Sequence, residues 1–526
     1  MTREFDLPGR SPVYACNAMA ATSHPLATSS ALTVLREGGS AADAALAAAA
    51  TLTVVEPHMT GIGGDCFAIV AEPSGAIHAL NGSGRAAADA RLAFYLERGF
   101  TEIAETSPHA ITVPGALRGW QKLHGKFGRM DWTRLFADAV DLAEGGFPVA
   151  PRVAHDWGRL TEKLMLDAGA RRHLLFDGKA PVQGQKIAFP ALGHTLSKIA
   201  REGADAFYLG EIAADIAATV RELGGPLSEE DLARCSADWV EPIRTTYRGY
   251  DVLQIPPNGQ GITALMILNM LTSGGTTSEP GSAERFHQSI EFARIAYAMR
   301  DAHVSDPATM RVRVADILSE ATTASLIAQY DAGRRNDAIR LPELPDADTV
   351  YLTVVDRDGL AVSFIYSVYA GFGSGIVTEK TGIALQNRGS CFNLIEGHAN
   401  AIDGGKRPMH TIIPGMVLKD GRPAFSFGVM GGAYQPAGQA HVLQNLFEFG
   451  MDPQQALDFP RLFWNDTGAL AAESGLTAAA VAGLRQRGHN VVPGGLHGGG
   501  QIIAIDPAGV LIGGSDPRKD GHAAGY

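Results

Sequence analysis

Thr349 follows directly on LPELPDAD, residues 341–348, a stretch with two prolines and three carboxylates. Proline drives the residue before it toward extended backbone, so this stretch is expected to be exposed and to form neither helix nor strand. If the bond between Asp348 and Thr349 were cut, Thr349 would carry a free α-amine beside its own hydroxyl. An α-amine titrates near neutral pH and can serve as a general base, so one residue would supply both nucleophile and base for attack on an amide carbonyl. Other chemistries find less support. None of the sixteen histidines stands in HExxH or another close ligand pattern. Cys16, Cys66, Cys235 and Cys391 form no CxxC pair, which argues against a thiolate zinc site and a disulfide framework. The glycine turn at residues 61–64 lacks the lysine of a phosphate loop and leads into a strand-like FAIV run where such a loop would open a helix.

The elements that would position Thr349 can be read from periodicity. VYLTVVDRDGLAVSFIYSV after it reads as two strands joined by a two-residue turn at Asp358-Gly359. GMVLKDGRPAFSFGVMGG supplies further strands, residues 435–449 a helix, and QIIAIDPAGVLIGGSD a last strand pair. Toward the N-terminus, residues 25–36 have helical spacing, and Ser40 is a fitting N-cap for a second, alanine-rich helix that ends at Pro57. That alanine-rich stretch is too short to span a bilayer and reads as a buried helix. From about 115 to 330 the apolar spacing is mostly helical. Strand clusters flanked by helical blocks predict sheets covered by helices, an α/β or α+β layered fold in one continuous unit.

The run TVYLTVVDRDGLAVSFIYSVYAGFGSGI, residues 349–376, closely resembles the processing site of the γ-glutamyltransferase (glutathione hydrolase)-like family of N-terminal-nucleophile hydrolases. The resemblance extends to SHPLATSSALTVLREGGSAADAALA, EPHMTGIGGDCF, VPGALRGW and SDPRKDGHAAGY, and so covers nearly the whole chain. It implies a four-layer αββα sandwich and self-cleavage between Asp348 and Thr349 into a large fragment, 1–348, and a small one, 349–526. It also implies roles. Thr349 matches the nucleophile, Ser367 a hydroxyl that orients it, and Gly431-Gly432 the pair whose amides form the oxyanion hole. Arg85 matches the arginine that grips the donor's α-carboxylate.

Where the family holds the donor's α-amino group with acceptors, this chain has Tyr369, Arg388 and Cys391; where it has two adjacent serines, this chain has His410 and Thr411. A thiol and a guanidinium in place of acceptors would weaken an ammonium's binding. That change resembles the cephalosporin acylase-type and oxamate amidohydrolase-type subgroup, and it favours an anionic acyl group without an α-amine. His410 is read equally as a polar binder or a packed side chain. The rival readings are a true γ-glutamyltransferase with a different way of holding the amine, and an unprocessed, inactive scaffold.

The 526 residues are 45% hydrophobic and 19% charged, which excludes disorder. The net charge of −12 is scattered, without a basic run, so nucleic acid is a poor partner. Asp6, Pro8, Arg10 and Pro12 interrupt any apolar export signal, which points to the cytoplasm. No metal or organic cofactor is expected. The partners are a small-molecule amide and the two fragments of one chain, with a homodimer of the processed pair also allowed and no membrane.

Overall fold

The computed structural model describes residues 9–275, 279–339, 348–495 and 497–526, with Asp348 described through its backbone alone. The expectation that residues 341–347 are exposed lies outside the described residues. Two seven-stranded sheets, antiparallel throughout, form the middle of the molecule. The first runs in the order His522–Gly525, Met19–Thr22, Asp348–Val355, Ala361–Tyr369, Asp65–Ala71, Ile77–Gly82, Asp238–Val240. The second runs Val13–Ala15, Leu511–Ser515, Gly499–Ile505, Arg422–Met430, Gly415–Lys419, Tyr250–Gln254, Ile243–Tyr247. Each sheet therefore mixes strands from before and after residue 348.

The sheets face one another across Asp348–Val355 and Arg422–Met430. Helices Ala41–Val55 and Ala116–Phe127 cover the first sheet, and Gly261–Ser273, Gln435–Phe447 and Pro453–Asp458 cover the second. The result is the expected helix–sheet–sheet–helix sandwich. Its interior is apolar in two clusters, one between the sheets and under the helices of the first, the other between the second sheet and its helices. Polar groups also enter it, as where Thr353 Oγ1 donates to Ser426 Oγ at 2.6 Å across the sheet interface.

The alanine-rich helix Ala41–Val55 is buried at every position, because methyl side chains let it lie between the helix Pro25–Arg36 and the first sheet. Ser40 caps it in a reciprocal box with Asp43, a contribution of about 1 kcal/mol.

The stretch 115–330 is mostly helical, as expected, and also holds strands: Asp238–Val240 is an edge of the first sheet, Ile243–Tyr247 an edge of the second, and Tyr250–Gln254 lies beside the latter. Two local expectations are corrected. The link after Val355 has five residues, 356–360, rather than two. There Asp356 accepts from the backbone N–H of Asp358 and Leu360 and, at 2.9 Å, from Ala41 N. Tight two-residue turns stand instead at Asp420-Gly421 and Arg248-Gly249, each with both residues at positive φ as this turn type needs. The last long helix stops at Phe447 rather than 449.

Candidate active site

Asp348–Val355 and Ala361–Tyr369 are neighbouring strands, so Thr349 and Ser367 meet at one end of the first sheet. Thr349 is 1% exposed, and its Oγ1 lies 3.5 Å from Ser367 Oγ. Ser367 Oγ is itself fixed by the N–H of Tyr369 at 2.7 Å. The register slips between Asp348 and Val350, so the backbone is irregular at the residue expected to react.

The strand Arg422–Met430 of the second sheet ends beside this point and turns through Gly431 and Gly432, at φ of 108° and 51°. A side chain at Gly431 would place Cβ 2.7 Å from Gly498 Cα, so the close approach and the left-handed backbone both require glycine. The turn's carbonyls are tied down: Gly431 O accepts from Tyr434 N at 2.9 Å, and Gly432 O from Gln260 Nε2 at 3.0 Å. With its carbonyls held, the turn aims successive amides in fixed directions, the geometry a developing oxyanion needs.

Two glutamines that carry no motif complete this end of the molecule. Gln435, wholly buried, accepts from Ile413 N at 2.9 Å and extends Nε2 to 3.5 Å from Thr349 Oγ1. Gln260 links Gly432 O to Thr411 O. Asp65 is a third hub. Its Oδ1 accepts from Gly84 N, Gly115 N and Gln386 Nε2, all within 3.0 Å. Asp65 lies within EPHMTGIGGDCF, but the sequence reading assigns no role to it or to the two glutamines.

Arg388, Thr411, Cys391 and Tyr369 come together. Arg388 is fully buried and lies over the Tyr369 ring, 4.1 Å from guanidinium carbon to centroid. Its Nη1 donates to Thr411 Oγ1 at 2.7 Å and stands 3.9 Å from Cys391 Sγ, while Nε and Nη2 have no hydrogen-bond partner among the described residues. Tyr369 adopts φ of 83°, and burial, followed by the Cys391 side chain, raises its hydroxyl well above the usual range, so it stays protonated.

His410 has a different role. Nε2 lies 3.2 Å from Asp65 Oδ2, Nδ1 accepts from Ile412 N at 3.4 Å, and the ring meets Phe67 edge-on. Burial, then the Arg388 charge, lowers its pKa to about 3, so it is neutral with both nitrogens used.

Arg85 does not join this group. It donates to Gly405 O at 3.0 Å and pairs at 3.5 Å with Asp306, its side chain 43% exposed on a separate open groove.

Among the described residues, the one grouping with metal-ligand character is His287, Glu291 and His489. There His287 Nδ1 and His489 Nε2 already hydrogen-bond at 2.8 Å, and Glu291 is occupied by Arg294 and Asn336 N. It is a paired internal network. No helix of the described residues is long and apolar enough to cross a membrane.

Residues 27–526 match the family model described as gamma-glutamyltranspeptidase. A glutathione hydrolase-like YwrD proenzyme of Bacillus subtilis is 36% identical over 96% of this chain and 98% of its own length. An oxamate amidohydrolase proenzyme of Klebsiella pneumoniae is 36% identical over 97% of this chain and 98% of its own. Among solved structures, a cephalosporin acylase from Bacillus halodurans superposes with a TM-score of 0.92 at 38% identity, covering 100% of this chain and 99% of that one.

Proposed function

The chain belongs to the gamma-glutamyltranspeptidase family of hydrolases, and on that premise we propose that Thr349 is its nucleophile and that the acyl group it accepts is an anion without an α-amine. In the precursor the Thr349 hydroxyl attacks the Asp348 carbonyl, and water hydrolyses the resulting ester. This leaves fragments 1–348 and 349–526, the second of 526 − 348 = 178 residues. The freed α-amine then acts as base for the same hydroxyl. In turnover Thr349 Oγ1 attacks the substrate carbonyl, Gly431 and Gly432 hold the oxyanion, and Ser367 and Gln435 keep the hydroxyl in place. No metal or organic cofactor enters any step.

The observation that carries the acyl preference is Arg388. A wholly buried guanidinium with Nε and Nη2 unsatisfied is stabilised by an incoming carboxylate and destabilised by an ammonium. Thr411, Tyr369 and Cys391 add hydroxyl and thiol donors around it. A short dicarboxylic monoamide satisfies this set. The likeness to acylase and oxamate amidohydrolase relatives supports the same reading.

One observation favours a γ-glutamyl donor instead: Glu105, whose backbone carbonyl accepts from Asn387 Nδ2 at 3.1 Å, brings a carboxylate to the neighbourhood of Arg388 that would accept an ammonium. The two readings separate in one experiment. Wild type and Thr349→Ala are compared on a denaturing gel with N-terminal sequencing, and the mature protein is assayed on glutaryl and γ-glutamyl anilides. Cleavage at Thr349 with faster glutaryl turnover is expected. Equal or faster γ-glutamyl turnover that Glu105→Gln abolishes would establish the second reading, and an uncut chain that still hydrolyses amides would sink both.

A further inference from the structure

Tyr369, Arg388, Thr411 and Cys391 differ in how they can be reached. The first three are buried, whereas Cys391 is partly exposed. Arg388 and Cys391 are the first and last residues of the 3-10 turn Arg388–Cys391, in which side chains three residues apart share a face. The sulfur is thus the accessible edge of a set whose buried member, Arg388, has Nε and Nη2 unmatched.

We infer that Cys391 is a covalent modification site for short α,β-unsaturated dicarboxylates, of which fumarate is the type. The modification rests on the thiol and its guanidinium. On the acyl-side reading above, the adduct also fills the acyl site.

The other thiols are poorer nucleophiles or lack this setting. Burial, then the Asp65 carboxylate, pushes the Cys66 thiol well above its usual range. The same two causes push Cys235 up to about 12. A thiol reacts as its thiolate, so both are inert near neutral pH. Cys16 is exposed and serves as an ordinary thiol for comparison.

Arg388 Nη1 stands 3.9 Å from Cys391 Sγ and is engaged by Thr411 Oγ1, which leaves Nε and Nη2 for a carboxylate. A carboxylate bonded there at about 2.9 Å holds its attached alkene carbon within a few bond lengths of the sulfur. The same guanidinium meets the negative charge on the attacking sulfur. The Tyr369 hydroxyl, kept protonated by burial and then by the Cys391 side chain, is a donor for the second carboxylate.

In the step itself, the sulfur adds to the alkene carbon next to the Arg388-bound carboxylate. One S–C bond forms, and the C=C π pair moves to the neighbouring carbon, where the second carboxylate shares it. That carbon then takes the proton the thiol gave up. The product is a succinyl thioether; nothing leaves, and no oxidant or other reactant is consumed.

The test uses the purified full-length protein, fumarate and the neutral acrylamide, with site-resolved mass spectrometry of Cys391 and Cys16. Acrylamide should label the exposed Cys16 at least as fast as Cys391. Fumarate should shift the Cys391-to-Cys16 ratio toward Cys391 by roughly tenfold or more, as one charge-assisted pair allows. In Arg388→Gln the two reagents should give ratios within about twofold of each other, because the carboxylate's partner is gone. In the wild type, glutarate should slow fumarate addition at Cys391 and leave Cys16 alone, a readout that needs no variant. A fumarate ratio no larger than the acrylamide ratio, or a preference that survives Arg388→Gln, overturns the inference. Selective addition at Cys391 that glutarate does not slow and that leaves glutaryl anilide hydrolysis intact supports the modification site and counts against the acyl-side reading alone.

Discussion

Arg85 and Arg388 carry the same side chain and sit in opposite surroundings. Arg85 lies on an open groove, paired with Asp306 and a loop carbonyl, whereas Arg388 is sealed under Tyr369 with two of its nitrogens unmatched. An exposed, paired guanidinium contributes little to binding because water already solvates it. A buried, unmatched one has everything to gain from a carboxylate. Position in a motif therefore says less about a residue's work than the solvation it has lost.

The comparison is broken most completely by removing the group both arginines would serve. Thr349→Ala should leave a single 55.4 kDa chain on a denaturing gel and no amide hydrolysis. Gly431→Ala spares both arginines but forces Cβ against Gly498. In mature protein it should lower kcat by about 10²-fold with less change in KM. Arg388→Gln should raise KM for a glutaryl anilide and reduce kcat/KM by about 10²-fold, the size of a lost charge-assisted pair. Arg85→Ala should change the same ratio by less than about threefold; a loss equal to that of Arg388→Gln would erase the distinction between the two sites.

A separate effect is on the pH dependence of stability. His410 is held neutral with a pKa of about 3, below its ordinary 6.5, so the unfolded chain binds a proton there that the folded chain refuses. Stability should therefore rise with pH between about 3 and 6.5 and level off above, by at most about 1.4 kcal/mol per pH unit from this group. His24, lowered by burial to about 4, adds to the same trend over part of that window. Urea midpoints across this range should show a shallower slope for His410→Gln. Arg388→Gln should raise the His410 titration seen by NMR, since the Arg388 charge opposes its protonation, while Arg85→Ala should not.

Much of this was legible in the sequence because it rests on local rules. The alternation after Thr349, the Ser40 cap and the Gly431-Gly432 turn are consequences of backbone period and steric freedom, and each falls where expected. The strands at 238–254 escaped because they are short and lie between long helical stretches that dominate the periodicity. Gln435, Gln260 and Asp65 escaped for another reason. An amide or carboxylate acquires its function from hydrogen bonds to residues far away in the chain, and no spacing announces them. Arg85 shows the converse, a side chain in a readable motif whose direction is set by Asp306, some two hundred residues on.

If the chain is cut before Thr349, as proposed, the interleaving of strands from both sides of residue 348 makes maturation a one-way event. As one chain, the molecule closes its sheets by an intramolecular search. Once cut, the same sheets can re-form only when two separate polypeptides meet. Recovery from denaturation would then slow on dilution, and the lifetime of the working enzyme would be governed by its rate of opening rather than by an equilibrium it can revisit. Each molecule would fold with the help of a tether that its own chemistry then removes.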